Sequence, residues 1–297
     1  MREKELARFL SAYDGPPLRL MEVCGTHTSS IYRSGIRQIL SPKITLLSGP
    51  GCPVCVTPTA YIDKLAAYAM TEGYKVMAFG DLLAVPGSRL SLAGARDRGG
   101  AVDFFYNPED VLAMAEKDRS TTYVLAAVGF ETTAPVWADL VKRVYDEKIP
   151  NIRFLTALKT MPRAMNILAA DLHIDGFLCP GHVAVITGSR PFQKLSETSG
   201  KPMVIGGFTA PLLLHALSRL VLEAAKKQGG LWNEYPSVVR EEGNPRALAL
   251  MDEVFAAGDA VWRGLGPIEG SGLYISGKYE FLDAGSRGLT EDRMPKG

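Results

Sequence analysis

"TYVLAAVGFETTAPVWADLVKRVY" (Thr122–Tyr145) decides how this chain folds. An apolar run of strand length, Thr122–Phe130, passes through a glycine turn into helical spacing over Val136–Tyr145. The same rhythm lies on both sides. "LRLMEVC" (Leu18–Cys24) reads as a strand and "SSIYRSGIRQIL" (Ser29–Leu40) as a helix. "KITLLSG" is a second strand, Thr59–Met70 a second helix and "YKVMAFG" a third strand. "VDFFYNPEDVLAMAEK" gives a short strand, an Asn-Pro turn and a helix. Downstream, "IRFLTAL", "DGFLCPG" and "KPMVIGGF" are further strands with helices between them. Strands alternating with helices predict parallel sheets covered on both faces, an α/β fold. The rhythm occurs twice, which suggests two Rossmann-like αβα domains, residues 1–120 and 121–297, facing a common cleft. After Gly229 the pattern changes to one helix, Pro245–Phe255, and a loop rich in Gly and Pro.

The chain has 297 residues, 46% hydrophobic and 22% charged, enough to bury a core without staples. Its 33 basic and 32 acidic residues give a net charge of +1, which argues against a nucleic-acid surface or a polybasic membrane patch. "MREKELARFLSAYDG" lacks the apolar core of a signal peptide, and no run approaches the ~18 apolar residues of a membrane span. A cytoplasmic protein is expected, with cysteines mostly reduced.

Ligands of open α/β sheets bind beyond the carboxyl ends of the strands. "MEVCGTHT", "LLSGPGCPVC", "AVGFETTAP", "FLCPGHV" and "VIGGFTAP" are each a strand followed by a Gly- or Pro-containing turn. All four cysteines, Cys24, Cys52, Cys55 and Cys179, stand in such turns, and His27 and His182 each follow a cysteine by three residues. Cys52 and Cys55 form a C-x-x-C turn ahead of a helix, where the helix N-terminus lowers a thiol pKa. A redox dithiol, a metal site and inert small residues are the competing readings; zinc would require a second ligand pair, which is missing. Cys24 can be a nucleophile, a soft-metal ligand or a buried filler. Gly25 permits close backbone approach, and Thr26 and Thr28 are candidate caps for the next helix. Glu131 can act as a base or hydrogen-bond acceptor, or simply as a helix-start carboxylate. Taken alone, His182 reads as a capping or core histidine. His173 and His215 sit in helical patterns and read as structural. Gly99 and Gly100 lack the context of a dinucleotide fingerprint.

Seven segments taken in order, "MEVCGTHT", "GIRQIL", "LLSGPGCPVCVTP", "GFETTAP", "CPGHV", "VVREEGN" and "WRGLGPIEGSGL", span residues 21 to 273 and closely resemble the HypD family of hydrogenase maturation factors. The resemblance implies a scaffold on which the Fe(CN)2CO fragment of [NiFe] hydrogenases is assembled. It implies a HypC-type chaperone and a HypE-type cyanide-delivery protein as partners. Cys24 takes the role of iron ligand. Cys52 and Cys55 match the thiol–disulfide pair beside the iron, and Thr26, His27, Glu131, Cys179 and His182 belong to motifs lining the same cleft. Such a protein is an assembly factor rather than a turnover enzyme. Adjacent dithiol chemistry suits the electrons that ligand attachment needs.

Two features depart from the family pattern. The family's usual cysteine-rich C-terminal segment carries a [4Fe-4S] cluster, whereas the sequence has no cysteine after Cys179, and four cysteines are too few for the cleft and a cluster with four thiolate ligands together. A cluster is therefore not expected on this chain as given. Thr209 stands in "GGFTAP" where the family usually has an acid. The rival readings are a plain thiol–disulfide oxidoreductase using Cys52 and Cys55, and a cluster-less paralogue that serves as a binding module.

Overall fold

The computed structural model describes residues 3–171 and 173–289. Eleven strands are present among them: β1 (Leu18–Glu22), β2 (Ile44–Ser48), β3 (Tyr74–Ala78), β4 (Val102–Phe104), β5 (Thr122–Gly129), β6 (Ile152–Lys159), β7 (Gly176–Cys179), β8 (Pro202–Ile205), β9 (Gly230–Asn233), β10 (Phe255–Trp262) and β11 (Gly266–Ile275). They form two sheets, each in its own compact unit.

The first unit takes residues up to 52 and residues 161–248. Its sheet runs β2-β1-β7-β8-β9, parallel throughout. Every residue of β7 and β8 is buried, as parallel strands covered on both faces require. Leu20, Leu178 and Val204 from the strands pack with Leu213, Leu217 and Leu220 of the helix Ala210–Ala225.

The second unit takes residues 53–160 and the chain from 249 onward. Its sheet runs β10-β11-β6-β5-β3-β4. Strands β3 to β6 are parallel, while β11 is antiparallel to β6 and to β10. Tyr61, Ile62 and Leu65 of the helix Thr59–Ala69 pack on Val76, Val124 and Leu155.

Both sheets are α/β, in agreement with the sequence pattern, but the chain is not divided near residue 120. Strands β3 and β5, on either side of that point, are hydrogen-bonded neighbours in one sheet. The chain contributes β1 and β2 to one sheet, builds β3 to β6 of the other, then returns. A βα step reads the same whichever sheet receives it, so the rhythm carries no record of the crossing.

Three local expectations are also corrected. The Gly- and Pro-rich loop after Val254 is the β10–β11 hairpin, in which Gly258 pairs with Gly272 and a register shift follows Gly258. Glycines interrupt the alternation that marks a strand in sequence. The helix expected over Ser29–Leu40 is two pieces, Gly25–Arg33 and Ile36–Ile39, separated at Gly35, whose φ of +68° ends the first. His173 lies in an exposed turn rather than a helix, its ring 3.0 Å from Asp171. His215 is helical and exposed.

Candidate functional site

In the first unit, Glu22 is in register with both Ser48 and Leu178, and Leu178 with Val204. The segments after β1, β2, β7 and β8 therefore leave the same carboxyl edge. These are the turns that carry Cys24 and His27, Gly49 to Cys52, Pro180 to His182, and Gly206 to Phe208.

Glu22 organises the first turn and is buried. One carboxylate oxygen accepts the Cys24 N–H at 3.1 Å and the other accepts the Thr28 hydroxyl at 2.5 Å. Its carbonyl accepts the Gly49 N–H at 2.7 Å. The next turn is tied in by the Gly25 N–H, which donates to the Gly51 carbonyl at 3.1 Å. A Cβ on Gly51 would lie 2.6 Å from the Gly25 nitrogen and 2.7 Å from the Cys24 Cα. The close approach anticipated at Gly25 thus depends chiefly on Gly51.

Cys24 is the N-cap of the helix Gly25–Arg33, with extended backbone, and its side chain makes no capping bond of ordinary geometry. Thr26 and Thr28 lie inside the helix rather than capping it. Burial pushes the Cys24 thiol up; the backbone N–H groups of His27 and Thr26 and the Thr26 hydroxyl oppose this, and the Glu22 carboxylate adds to it. A buried thiol facing N–H donors is suited to exchanging its proton for a metal, because the donors favour the anion that coordination creates.

His27 is fully buried. Its Nε2 stands 3.2 Å from the carbonyl oxygens of both Gly206 and Gly207. Carbonyls only accept, so the ring proton resides on Nε2. Nδ1 keeps its lone pair and has no hydrogen-bond partner among the described residues. Burial lowers the His27 pKa to about 4 against the pull of the two carbonyls, and His182 lowers it further. Phe208 stacks on His27 at 4.6 Å and on His182 at 3.8 Å between ring centroids. His182 is also held below its usual pKa by burial. The sequence singled out both histidines but missed Glu22, Gly51 and Phe208.

Cys179 ends β7, is wholly buried, and has a thiol pKa raised by burial. It belongs to the packed sheet. Cys52 is half-buried, Cys55 exposed, and neither is in a disulfide. The turn between them is closed by the Thr57 hydroxyl donating to the Pro53 carbonyl at 2.9 Å. Their helix begins only at Thr59, with Pro58 as N-cap. Pro58 disfavours helical backbone at Thr57, so the helix does not extend back to the cysteines. Cys52 does meet the first turn: with Glu22, Gly25, Thr28, Tyr32 and Leu46 it lines a groove of about 500 Å³. Thr209 is the N-cap of the helix Ala210–Ala225 without a side-chain cap bond.

In the second unit, Glu131 follows β5 and precedes the helix Ala134–Asp146, buried rather than solvated as a helix-start carboxylate usually is. Among the described residues no three His, Cys, Asp or Glu side chains gather as a metal site, and no helix is long and apolar enough to cross a membrane.

Comparison with known proteins agrees with the motifs. The HypD family model, described as "Hydrogenase formation hypA family", matches residues 3–295. Hydrogenase maturation factor HypD of Rhodobacter capsulatus is 36% identical over 282 residues, covering 94% of this chain and 75% of the relative. HypD of Escherichia coli is 36% identical over 284 residues, covering 95% and 76%. A putative hydrogenase expression/formation protein of Methanocaldococcus jannaschii is 36% identical over 267 residues, covering 90% and 74%.

Proposed function

The chain belongs to the HypD family of hydrogenase maturation factors, and from that premise we propose that it is a cytoplasmic scaffold on which the Fe(CN)2CO fragment is assembled. The iron fragment is cargo, and Cys24 is the protein's thiolate for it. The observation that carries this reading is the setting of Cys24. It is a buried thiol at a helix start, faced by the N–H groups of Thr26 and His27 and fixed by Glu22 and Gly51. Soft, low-spin iron with cyanide and carbonyl ligands suits a thiolate. Since no closed ligand set surrounds Cys24 among the described residues, it enters as a single donor. The remaining thiolate comes from a HypC-type chaperone, and a HypE-type protein supplies the cyanide.

Cys52 and Cys55 act as the accompanying dithiol. Cys52 shares the groove of Glu22 and Gly25, and Cys55 is exposed to exchange partners. Oxidation to a disulfide releases two electrons and two protons, which the dithiol passes to the ligand-attachment chemistry. His27, with Nε2–H committed to carbonyls, holds the helix start and offers Nδ1 as an acceptor. The Thr26 hydroxyl works against burial in setting the Cys24 thiol pKa. Glu131 is assigned to proton handling, His182 to the wall of the Phe208 stack, and Cys179 to the packed end of β7.

The test is anaerobic co-purification with a HypC-type chaperone, with iron measured per complex. The reading requires a stable complex carrying iron, with iron lost in Cys24→Ala while the complex and fold persist. Equal iron in that variant would contradict it.

A further inference from the structure

Arg263 is the first residue after β10, where the chain turns toward β11. Its neighbour Trp262 is wholly buried, and the Trp262 Nε1–H donates to the Ser271 hydroxyl at 2.9 Å, which anchors the backbone at this point. From there Arg263 reaches the segment that follows the C-x-x-C turn, 206 residues away in sequence. Its backbone N–H donates to the Val56 carbonyl at 2.9 Å. Its Nε–H donates to the Thr57 carbonyl at 2.7 Å, and its Nη2 donates to the Pro86 carbonyl at 2.8 Å.

Thr57 passes this hold to the two residues between the cysteines. It is wholly buried. Its hydroxyl donates to the Pro53 carbonyl at 2.9 Å, and its N–H donates to the Val54 carbonyl at 3.2 Å. Pro53 and Val54 are the whole of the chain between Cys52 and Cys55. The proline ring fixes one backbone angle of the turn, and the bonds from Thr57 act on the freedom that remains. A bond from a guanidinium to a carbonyl is charge-assisted and stronger than a neutral one. A disulfide requires its two Cβ atoms at a short, defined separation. A turn that is already ordered loses less conformational entropy when the bond closes.

We propose that Arg263 is a positioning residue for the Cys52–Cys55 pair: through Thr57 it holds the turn in which the disulfide closes, and so favours the disulfide over the dithiol. The inference rests on the reading of that pair as a redox dithiol. It assigns Arg263 no contact with the sulfurs or with the iron fragment.

The test is exchange of the full chain with dithiothreitol in the absence of oxygen. Each cysteine gives up its proton, an S–S bond forms on the protein as the S–S bond of oxidised dithiothreitol breaks, and the reagent leaves as its dithiol. Mass mapping assigns the bond to Cys52 and Cys55. Arg263→Met should lower the exchange constant by about threefold to tenfold, a rise in reduction potential of about 14–30 mV. Thr57→Val, which keeps the shape and removes the hydroxyl, should lower it in the same sense. The double variant should shift the logarithm of the constant by less than the sum of the two, since both act along one path. A merely structural role would reduce unfolding stability and leave the constant of the folded protein unchanged. An unchanged or raised constant in folded Arg263→Met overturns the proposal and leaves the dithiol reading intact. Should that variant not fold, Thr57→Val decides by the same criterion. A wild-type pair that forms no disulfide at any ratio of the reagent overturns the dithiol reading and the proposal with it.

Discussion

The Gly25 amide donates to the Gly51 carbonyl at 3.1 Å, so the turn carrying Cys24 and the turn leading to Cys52 are held as one structure. With no room for a Cβ on Gly51, this contact sets the position of Cys24 against the strand ends.

Gly51→Ala should therefore destabilise the protein by about 1–3 kcal/mol, the range for forcing extra volume into a packed site. Gly25→Ala is the control, since its Cβ would meet only the Gly51 carbonyl, at 3.4 Å. Urea unfolding of the two variants should separate them clearly. Equal stabilities would show that the Gly51 turn yields freely.

Glu22→Ala removes the acceptor of the Cys24 N–H and of the Thr28 hydroxyl in a buried setting. Bonds to a charged group contribute about 1.5–3 kcal/mol each at most, and stranded donors add a penalty. A loss of about 2–3 kcal/mol in denaturant unfolding is expected. The variant should also expose Cys24 to alkylation. A change below half a kilocalorie, with alkylation unaltered, would remove Glu22 from the account.

His27 makes stability depend on pH. Its folded pKa, about 4, lies below its ordinary value of 6.5, so the unfolded chain binds more protons between those limits. The His27 contribution is complete above pH 6.5, falls as pH falls, and is gone near pH 4. It amounts to about 3 kcal/mol. Unfolding of the wild type and His27→Gln at about pH 7 and about pH 5 checks this, because the variant should lose much less stability on acidification. Parallel losses would place the titration elsewhere.

Thiol labelling without denaturant should proceed in the order Cys55, Cys52, Cys24, with Cys179 unreactive. Exposure sets the first two places, and burial, which also raises the pKa, sets the last two. Mass mapping of alkylated peptides reads the order directly. Early modification of Cys179 would contradict its assignment to the sheet core.

What sequence could convey divides along physical lines. Strands β5 and β6 were legible because long apolar runs followed by helical spacing are local signals. The β10–β11 hairpin was not, because Gly258, Gly264, Gly266, Gly270 and Gly272 hide its alternation. The cysteines and histidines of the site stood out as residue types in strand-end turns. Glu22 and Phe208 did not. Glu22 looks like an ordinary strand-end acid until β2 and β7 are set in register beside it. Phe208 acquires its role only when β8 brings it to His27, whose bond to Gly207 spans 180 residues. The domain division was hidden for the same reason, since it resides in strand pairing and not in the order of elements.

The central claim, that Cys24 holds the iron fragment, is tested most directly by an infrared spectrum. The protein is purified without oxygen from cells that also express a HypC-type chaperone and the cyanide-delivery proteins. The account predicts cyanide and carbonyl stretching bands in the wild-type complex and their loss in Cys24→Ala, with the chaperone still bound and the fold intact. Undiminished bands in that variant would contradict it.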